Sequence, residues 1–524
     1  MDFNSYIQTT LLLLCLLLLY RIFFRKKAAR NYRSGNVGAP EPTGAWPVLG
    51  HLHMLQGPDP VCKKLGAMAD KYGPIYSLKL GNYRLLVVSS WEVAKDCFTT
   101  NDRALATRPS IAAGKYLGYN NAILALAPYG DYWRYIRKVA TIELFSAHRL
   151  EQLSHVRFSE VGLFIKDLFK LCNGSWVEVD MSKLLEGLTF NLILRMIVGK
   201  RFSGNNCKED DNMAQRYMKA VKEDIELSGV FVLSDAVPWL EWMDFHQHVS
   251  RMKKTARELD SALVKWFDEH VRRRKEEKQG GRESDFMDVM LSNLPEDIVM
   301  SGHTRDTVVK ATALILTLTG GESTSVSLTW ALSLLLNHPS VLKAAQEELD
   351  TVVGRDRWVE ESDIKKLDLL HAIVKETLRL YPPGPVTGLR EATEDCSIGG
   401  YHVPKGTRVI ANIWKLQRDP RVWKNAEEFL PERFMTGNSV VDFRGPNLEY
   451  MPFSYGRRSC PGMTFGLQVV NLTLARLLQG FDMAAPAGRP VDMREGLGLA
   501  LPKANPLEML LKPRLPFKLY HQCP

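Results

Sequence analysis

The sequence predicts a mainly α-helical fold with small β-sheets, built as one large unit behind a short N-terminal segment. Apolar residues recur at helical spacing through most of residues 91–271. Residues 304–336 extend this pattern as one long apolar helix. Strand patterns are short and lie at residues 76–90, 396–403 and 408–413. No repeat or flexible linker interrupts the main part of the chain, so we expect a single domain.

The N-terminus predicts a transmembrane helix over residues 1–24. Tyr6 to Phe24 is almost entirely apolar, and about twenty such residues span a bilayer as a helix. The basic residues that follow are Arg25, Lys26, Lys27, Arg30 and Arg33. Basic residues on this side place the rest of the chain in the cytoplasm. A cleaved signal peptide carries its positive charge before the apolar run, where this chain has Asp2. We therefore expect a retained, single-pass anchor.

The remaining segments follow in order. Residues 25–50 form a basic stop-transfer segment and a Pro/Gly hinge, and residues 51–524 form the main domain. Gly81-Asn82 predicts a hairpin turn between two short strands. Residues 272–285 are charged and predict a surface loop. Glu322 and several Ser and Thr residues lie in the long apolar helix, which favours a buried helix carrying a site over a second membrane span.

Composition excludes several classes of protein. Eight cysteines are scattered without C-x-x-C pairs, which argues against a disulfide framework or a zinc site and fits a reducing compartment. The net charge is +9, but no basic stripe interleaved with aromatic residues appears, so we expect no nucleic-acid binding. An acidic protein partner explains the cationic balance better.

Cys460 is the strongest functional candidate. It lies between Gly456 and Gly462, just before an apolar helical run, where the helix dipole and free backbone N–H groups favour thiolate over thiol. The glycines let the backbone approach a flat, large group, and Arg457 and Arg458 can neutralise carboxylates. A thiolate with arginines and close backbone predicts a heme site, with sulfur on the iron and arginine on the propionates. A buried inert cysteine is the alternative.

These residues resemble those of a known family. Phe453–Gly462 fits Phe-x-x-Gly-x-Arg-x-Cys-x-Gly, the heme-binding signature of the cytochromes P450. The W-x-x-x-R, E-x-x-R and P-E-R-F motifs follow in family order, at residues 133–137, 376–379 and 431–434. With the anchor and hinge, the chain resembles a plant microsomal cytochrome P450 of the specialised-metabolism group. The resemblance implies a cytochrome P450 fold over residues 51–524, the catalytic domain, and heme b as cofactor.

The resemblance also implies roles for particular residues. Cys460 is the iron ligand, and the residues that hold the heme propionates are Trp133, Arg137, Arg390 and Arg458. For Trp133 simple core packing is the alternative. A buried cluster of Glu376, Arg379 and Arg433 is expected to hold the core on the heme side.

Proton delivery is implied for the segment Thr319-Gly-Gly-Glu-Ser-Thr324. Glu322 has the acid position, Ser323 stands where the family usually has threonine, and Thr324 can share the task. Serine lacks the methyl group that restricts χ1, so the donor is less fixed. Thr319 replaces the usual small residue, and the glycines can let the helix bow beside the heme.

The expected activity is insertion of one oxygen atom from O2 into a bulky lipophilic plant metabolite such as an alkaloid, flavonoid, terpenoid or phenolic. Hydroxylation is the default outcome, with demethylation or ring closure as alternatives. Because no dinucleotide-binding G-x-G-x-x-G follows a strand, electrons must come from a separate protein, NADPH-cytochrome P450 reductase, at the endoplasmic reticulum membrane. A reductase-independent isomerase or dehydratase and a non-catalytic heme-binding membrane protein are the other classes considered.

Substrate choice is expected to depend on five largely apolar segments. They are residues 111–126, 231–240, 313–321, 385–389 and 497–501.

Overall fold

Helices form most of the chain, as the sequence predicts. The computed structural model describes residues 37–201, 208–230, 232–237, 241–242, 244, 247–276, 285–435, 442–443, 445 and 447–522. The α-helices are α1 (Val61–Tyr72), α2 (Trp91–Lys95), α3 (Ala112–Tyr116), α4 (Asp131–Val139), α5 (Ala147–Gln152), α6 (Ser154–Cys172), α7 (Met181–Val198), α8 (Lys208–Gly229), α9 (His248–Glu276), α10 (Phe286–Asn293), α11 (Arg305–Asn337), α12 (Pro339–Val352), α13 (Glu361–Ile364), α14 (Asp368–Leu380), α15 (Ile413–Leu416), α16 (Met463–Gly480) and α17 (Phe517–Gln522).

The strands are short and form four small sheets among the described residues. They are β1 (Ile75–Leu80), β2 (Tyr83–Val88), β3 (Val177–Asp180), β4 (Val299–Met300), β5 (His303–Thr304), β6 (Arg390–Glu391), β7 (Cys396–Ile398), β8 (Tyr401–Val403), β9 (Arg408–Ala411), β10 (Phe481–Ala484) and β11 (Glu508–Pro513). The largest sheet has the order β1-β2-β9-β6, and a second has the order β10-β11-β3. The pairs β4-β5 and β7-β8 complete the set.

The predicted hairpin is confirmed. Leu80 pairs with Tyr83 across a two-residue turn, and Gly81 has a φ of 58°, in the left-handed region that glycine adopts readily. The strand predicted over 408–413 ends earlier, at Ala411. Asn412 instead caps α15, because its side chain accepts a hydrogen bond from the Lys415 backbone N–H.

Helix α11 runs through two apolar cores and joins them. Its first half, including Val308 and Leu314, packs in a core with residues of α7, α9 and α10. Its second half, including Leu328 and Leu335, packs in a core with residues of α12, α14 and α16. Residues 319–325 between the two halves contribute to neither core. The middle of a buried helix is thereby left free to carry polar groups.

The predicted cluster of buried charges is confirmed. Glu376 and Arg379 are both fully buried, with Nε to Oε2 at 2.7 Å. Arg433 Nε donates to Glu376 Oε1 at 2.9 Å, and its side chain is 10% exposed. Arg379 also donates to the carbonyls of Gln417 and Ala426 at 3.0 and 2.7 Å. Every charge is therefore paired, which a buried ionic cluster requires.

The predicted anchor, residues 1–24, lies outside the described residues, as does the stop-transfer segment up to residue 36. In the part of the chain that the structure describes, no helix combines the length and apolar character needed to cross a bilayer.

Candidate active site

Cys460 lies just before α16, as its sequence position predicts. Its backbone N–H donates to the Phe453 carbonyl at 2.9 Å, which closes the loop ahead of the helix. The side chain is exposed, yet desolvation by the surrounding protein is the largest influence on its pKa. An accessible side chain that is nevertheless desolvated is what we expect for a thiol that faces an enclosed space inside the protein.

The surroundings of Cys460 act on its pKa in opposite directions. Burial raises the pKa of this thiol, while the Gly462 N–H and the Arg137 guanidinium oppose the rise without reversing it. The position at a helix start therefore does not by itself favour the thiolate. A coordinating metal ion deprotonates a thiol outright, so a bound iron would hold this sulfur as the thiolate.

Two of the predicted propionate ligands, Arg390 and Arg458, are buried side by side. Arg390 is 1% exposed and donates to the Tyr455 carbonyl at 2.9 Å and to Asp102 Oδ1 at 3.3 Å. Arg458 is 8% exposed and donates to the carbonyls of Ala106 at 2.7 Å and Ala127 at 2.6 Å. In the described structure the hydrogen bonds of Arg458 go to backbone oxygens, and no carboxylate pairs with its buried positive charge.

Arg108 joins this cluster, and sequence reasoning missed it. Its guanidinium donates to the carbonyls of Ala125 at 3.0 Å and Leu389 at 2.5 Å. Arg108 lies between Thr107 and Pro109 and belongs to no motif that would reveal it; only the folded chain brings it to the other arginines. Burial and then Arg390 lower the pKa of Arg108 to about 9.

The arginines repel one another. Burial lowers the pKa of Arg458 to about 8, and the charges of Arg108, Arg390 and Arg137 add to the effect. The single carboxylate in contact with the cluster in the described structure is Asp102, which also binds the exposed Arg457 at 2.8 Å. This concentration of buried positive charge requires an anion beyond Asp102.

Trp133 and Arg137 are placed differently from each other. The Trp133 indole N–H donates to the Leu124 carbonyl at 3.1 Å, so it does not point to an open acceptor as the resemblance implies. Its ring instead lies 4.3 Å from the Arg458 guanidinium, a cation–π contact that holds that side chain. Arg137 is close enough to Cys460 for the two to influence each other's pKa. Arg137 therefore connects the arginine cluster to the thiol.

The residues present fit heme b. A thiol facing an enclosed space supplies the iron ligand, and the buried arginines supply the positive charge that two propionates require. Gly456 permits the close packing of this loop, because a Cβ there would overlap Asp102 Oδ1 and lie 3.0 Å from the Phe98 carbonyl oxygen.

The proposed proton-delivery residues lie in the middle of α11. Thr319 is exposed and Glu322 and Ser323 are partly exposed, although the helix around them is buried, so this face borders an internal space. Thr324 is 5% exposed and lies on a different face, with its hydroxyl donating to the Gly320 carbonyl at 2.8 Å. Ser323 donates to the Thr319 carbonyl at 2.7 Å. Of these residues the structure brings Thr319 and Glu322 to the wall of an internal cavity, while Ser323 is partly exposed beside them and Thr324 is buried.

Glu322 is set up to exchange protons near neutral pH. Burial raises its pKa to about 7, and the neighbouring Glu186 adds to this while Lys222 opposes it. Lys222 and Glu186 form an ion pair, with side chains 59% and 41% exposed. Glu322 therefore lies between an internal space and a solvated pair of charges.

A cavity of about 1230 Å³ adjoins these residues. Glu322, Thr319 and Arg108 line it, so it extends from the middle of α11 to the arginine cluster. All five segments expected to select the substrate contribute to its wall, including every residue of 385–389. The end of α8 and residues of the 46–64 segment also line it, in addition to the five predicted segments.

A model of the cytochrome P450 family matches residues 40–509, a range that contains every site residue described above. The chain belongs to the cytochrome P450 family, and the resemblance in its motifs is confirmed. It is a heme-thiolate monooxygenase, since the heme iron of this family is coordinated by a cysteine thiolate.

Plant enzymes are similar to nearly the whole chain. It is 54% identical over 517 residues to dimethylnonatriene synthase of Arabidopsis thaliana, covering 98% of each. It is 47% identical over 537 residues to flavonoid-6-hydroxylase of Ocimum basilicum, covering 100% of this chain and 99% of the relative. A nicotine N-demethylase of Nicotiana tomentosiformis is 47% identical over 489 residues, with 92% and 93% covered. The chain thus belongs with the plant cytochromes P450 of specialised metabolism.

A solved structure supports the assignment of the fold. A zebra fish cytochrome P450 with progesterone superimposes with a TM-score of 0.73 at 26% identity, covering 87% of this chain and 100% of that one. The mainly helical fold with small sheets is therefore confirmed as the cytochrome P450 fold.

Proposed function

We propose that this enzyme inserts one oxygen atom from O2 into a bulky lipophilic plant metabolite, with hydroxylation as its default outcome. When bound, a thiolate-ligated heme supplies the activation of O2 and the transfer of the oxygen atom. The observation that supports the proposal best is the cavity of about 1230 Å³, which reaches both Glu322 and the arginine cluster. Its wall is mainly apolar, as a lipophilic substrate requires.

Each site residue has a proposed task. Cys460 would bind the heme iron, and Arg137, Arg390 and Arg458 would bind the propionates through charge-assisted hydrogen bonds. Trp133 positions Arg458 through its ring. Asp102 holds Arg390 at 3.3 Å, so this guanidinium is oriented before any propionate arrives.

Glu322 moves the protons that the reduction of O2 consumes. With a pKa of about 7 it holds and releases a proton with equal ease near neutrality, which is the condition for efficient general acid–base action. Ser323 offers a hydroxyl on the same face, and Thr324 supports the helix backbone through its bond to Gly320. The solvated Lys222–Glu186 pair is the proposed source from which Glu322 regains its proton.

Electrons are proposed to come from NADPH-cytochrome P450 reductase, with the enzyme held at the endoplasmic reticulum membrane by residues 1–24 and its catalytic domain in the cytoplasm. The apolar run of residues 6–24 followed by basic residues supports the anchor. The net charge of +9 supports docking to an acidic reductase surface.

The test is turnover in microsomes that contain the full chain and a plant reductase. The substrates are acyclic terpenoids, flavones, coumarins and nicotine, chosen because relatives of this chain are named for such compounds. We expect a product with one added oxygen atom, or a product derived from it, that requires both NADPH and reductase.

Two controls separate the alternatives. Cys460→Ser should abolish the product, because serine does not supply the thiolate. A product formed without NADPH and reductase would contradict the proposal and indicate an isomerase or dehydratase. Heme binding without any conversion of the panel would contradict the proposed substrate classes.

A further inference from the structure

His270 is a buried histidine near the end of α9, and none of the tasks above uses it. It is 1% exposed, and its neighbours Trp266 and Phe267 belong to the apolar core that α9 shares with α10 and α11. Its Nδ1 lies 2.6 Å from the Trp266 carbonyl oxygen, one turn earlier in the same helix. Its Nε2 lies 2.9 Å from Oδ2 of Asp285, the residue that precedes α10. Both ring nitrogens therefore face an oxygen atom.

This geometry decides how many protons the two side chains hold. A neutral imidazole has one donor nitrogen and one acceptor nitrogen, whereas the imidazolium donates from both. A backbone carbonyl oxygen only accepts, so Nδ1 carries a proton and donates to Trp266. A second proton then lies between Nε2 and Asp285 Oδ2, because without it two lone pairs would face each other at 2.9 Å. His270 and Asp285 thus form a buried pair of imidazolium and carboxylate.

The Asp285 carboxylate is held in place from its other oxygen. Oδ1 accepts the Asp288 backbone N–H at 3.0 Å and so caps the start of α10. The charged groups beside His270 lie at the end of α9 and the start of α10; they are Arg273, Asp285 and Asp288. Arg273 donates to both Asp288 oxygens at 2.7 and 2.8 Å and lies 3.7 Å from Asp285 Oδ2. The adjacent Glu269 pairs with Lys200 at 2.5 Å.

The pair connects α9 to a helix that packs on α11. Met290 of α10 shares an apolar core with Val308 of α11. Arg305, the first residue of α11, donates to the Leu291 carbonyl of α10 at 2.6 Å. The position of α10 therefore supports the start of the helix that carries the proposed proton-delivery residues. Since residues 277–284 separate α9 from Asp285 in sequence, the pair is a side-chain contact between the two helices in addition to their apolar packing.

We infer that the proton shared by His270 and Asp285 forms a pH-sensitive connection between α9 and α10, and that this connection is lost in alkaline solution. Without the proton, Nε2 faces a carboxylate oxygen inside the protein, where an unpaired polar group is unfavourable. Burial lowers the pKa of His270, but the bonds to Asp285 and to the Trp266 carbonyl outweigh it and raise the pKa above its ordinary 6.5. The pair therefore stabilises the fold fully below pH 6.5 and loses this contribution as the pH rises through the raised value.

The experiment measures hydrogen exchange of the α10 backbone amides in the heme-loaded full chain by mass spectrometry. Each rate is divided by the rate of the unfolded chain at the same pH, which removes the chemical effect of pH on exchange. We expect the protection of α10 in the wild type to fall at least about fivefold between about pH 6 and about pH 9, the range that one charge-assisted hydrogen bond supplies. This result needs no variant, so it does not depend on whether a variant folds.

Two variants identify the proton. Asp285→Asn keeps an oxygen to cap α10, and its amide NH2 can donate to a neutral Nε2, so the bond no longer needs the second proton. Its protection should be the same at both pH values and within about threefold of the wild type at about pH 6. The matched control is His338→Leu. His338 Nδ1 makes the same contact with a carbonyl four residues earlier, that of Leu334 at 2.7 Å, but no carboxylate pairs with it in the described structure. This variant should keep the pH profile of the wild type.

The outcomes that would overturn the inference are specific. One is a wild-type protection of α10 that is equal at the two pH values. Another is a wild-type pH profile in Asp285→Asn, which would assign the effect to a different titrating group such as Glu322. His270, Asp285 and Asp288 also place their ligand atoms within 4.8 Å of one another. Loss of protection on adding EDTA would therefore mean that a metal ion, and not a proton, joins the helices. The inference is independent of the proposed function, since none of these results depends on a substrate.

Discussion

Replacing Glu376 by glutamine tests how much the buried charge cluster stabilises the fold. The Glu376 carboxylate accepts from Arg379 at 2.7 and 2.9 Å, from Arg433 at 2.9 Å and from the Leu430 backbone N–H at 3.0 Å. Glutamine keeps the shape but loses the charge, and its amide NH2 cannot accept. Two arginines that are 0% and 10% exposed then lack a counter-charge. Breaking a buried pair in this way costs about 3 to 5 kcal/mol.

That cost is a large part of the roughly 5 to 15 kcal/mol that stabilises a folded protein. Because large proteins that hold a cofactor often unfold irreversibly, the suitable assay is the half-life of the heme absorption band at a fixed temperature below the unfolding midpoint. If half of this free-energy cost lowers the barrier to unfolding, the half-life of the heme band shortens by about tenfold or more.

The matched control is Glu427→Gln. Glu427 also accepts from a buried arginine, Arg418, at 3.0 Å, but its own side chain is 73% exposed. Pairs with a solvated partner contribute about 0 to 1 kcal/mol, so this variant should stay close to the wild type. A half-life of Glu376→Gln within about twofold of this control would refute the reasoning, since that corresponds to less than about 0.5 kcal/mol.

Three further predictions concern the site. The pKa of Glu322 is raised to about 7 from its ordinary 4.5. The free energy of unfolding therefore falls as the pH rises from 4.5 to about 7, and above about pH 7 the protonated form of Glu322 becomes scarce. We expect product per NADPH to fall above about pH 7 in the wild type, and Glu322→Gln to lower turnover at least about tenfold with a flat pH profile, measured with reductase. Gly456→Ala should reduce the heme content of the purified protein, because a Cβ at this position overlaps Asp102 and the backbone φ is 74°. The control is Gly400→Ala, where φ is 81° but the space around a Cβ is open. This variant should keep its heme and lose only about 1 to 2 kcal/mol of stability. Arg458→Lys should release heme to a scavenger about tenfold faster than the wild type, since lysine lacks the planar guanidinium that binds the carbonyls of Ala106 and Ala127. The control is Arg457→Lys, because the Arg457 side chain is 45% exposed. This variant should release heme at the rate of the wild type.

Local patterns predicted much of the fold. The hairpin at Gly81-Asn82 and the long helix α11 follow from turn chemistry and apolar spacing within a few residues. The sheet of β10, β11 and β3 was missed, because it pairs Val179 with Met509 across more than half of the chain. Long-range pairing of short strands has no signal in local periodicity.

The site was predictable where a motif fixes spacing, as at Cys460 and Glu376. Arg108 was missed, because it is an isolated charge in a segment without a motif. Only its bonds to the carbonyls of Ala125 and Leu389 and its position near Arg390 mark it, and these arise from the packing of distant segments. The hydrogen bond of Trp133 to Leu124 likewise depends on where a loop folds back.

The arginine cluster has a consequence for the life of the enzyme in a cell. The half-buried Arg108 and the buried Arg458 repel each other and the neighbouring arginines, with pKa values lowered to about 9 and 8. A ligand that binds only the folded state stabilises it in proportion to the logarithm of its free concentration. Here the ligand also removes a repulsion that the empty protein must sustain, so chains made when heme is scarce should be degraded sooner. The supply of heme, as much as gene expression, would then set how much of this enzyme a plant cell holds.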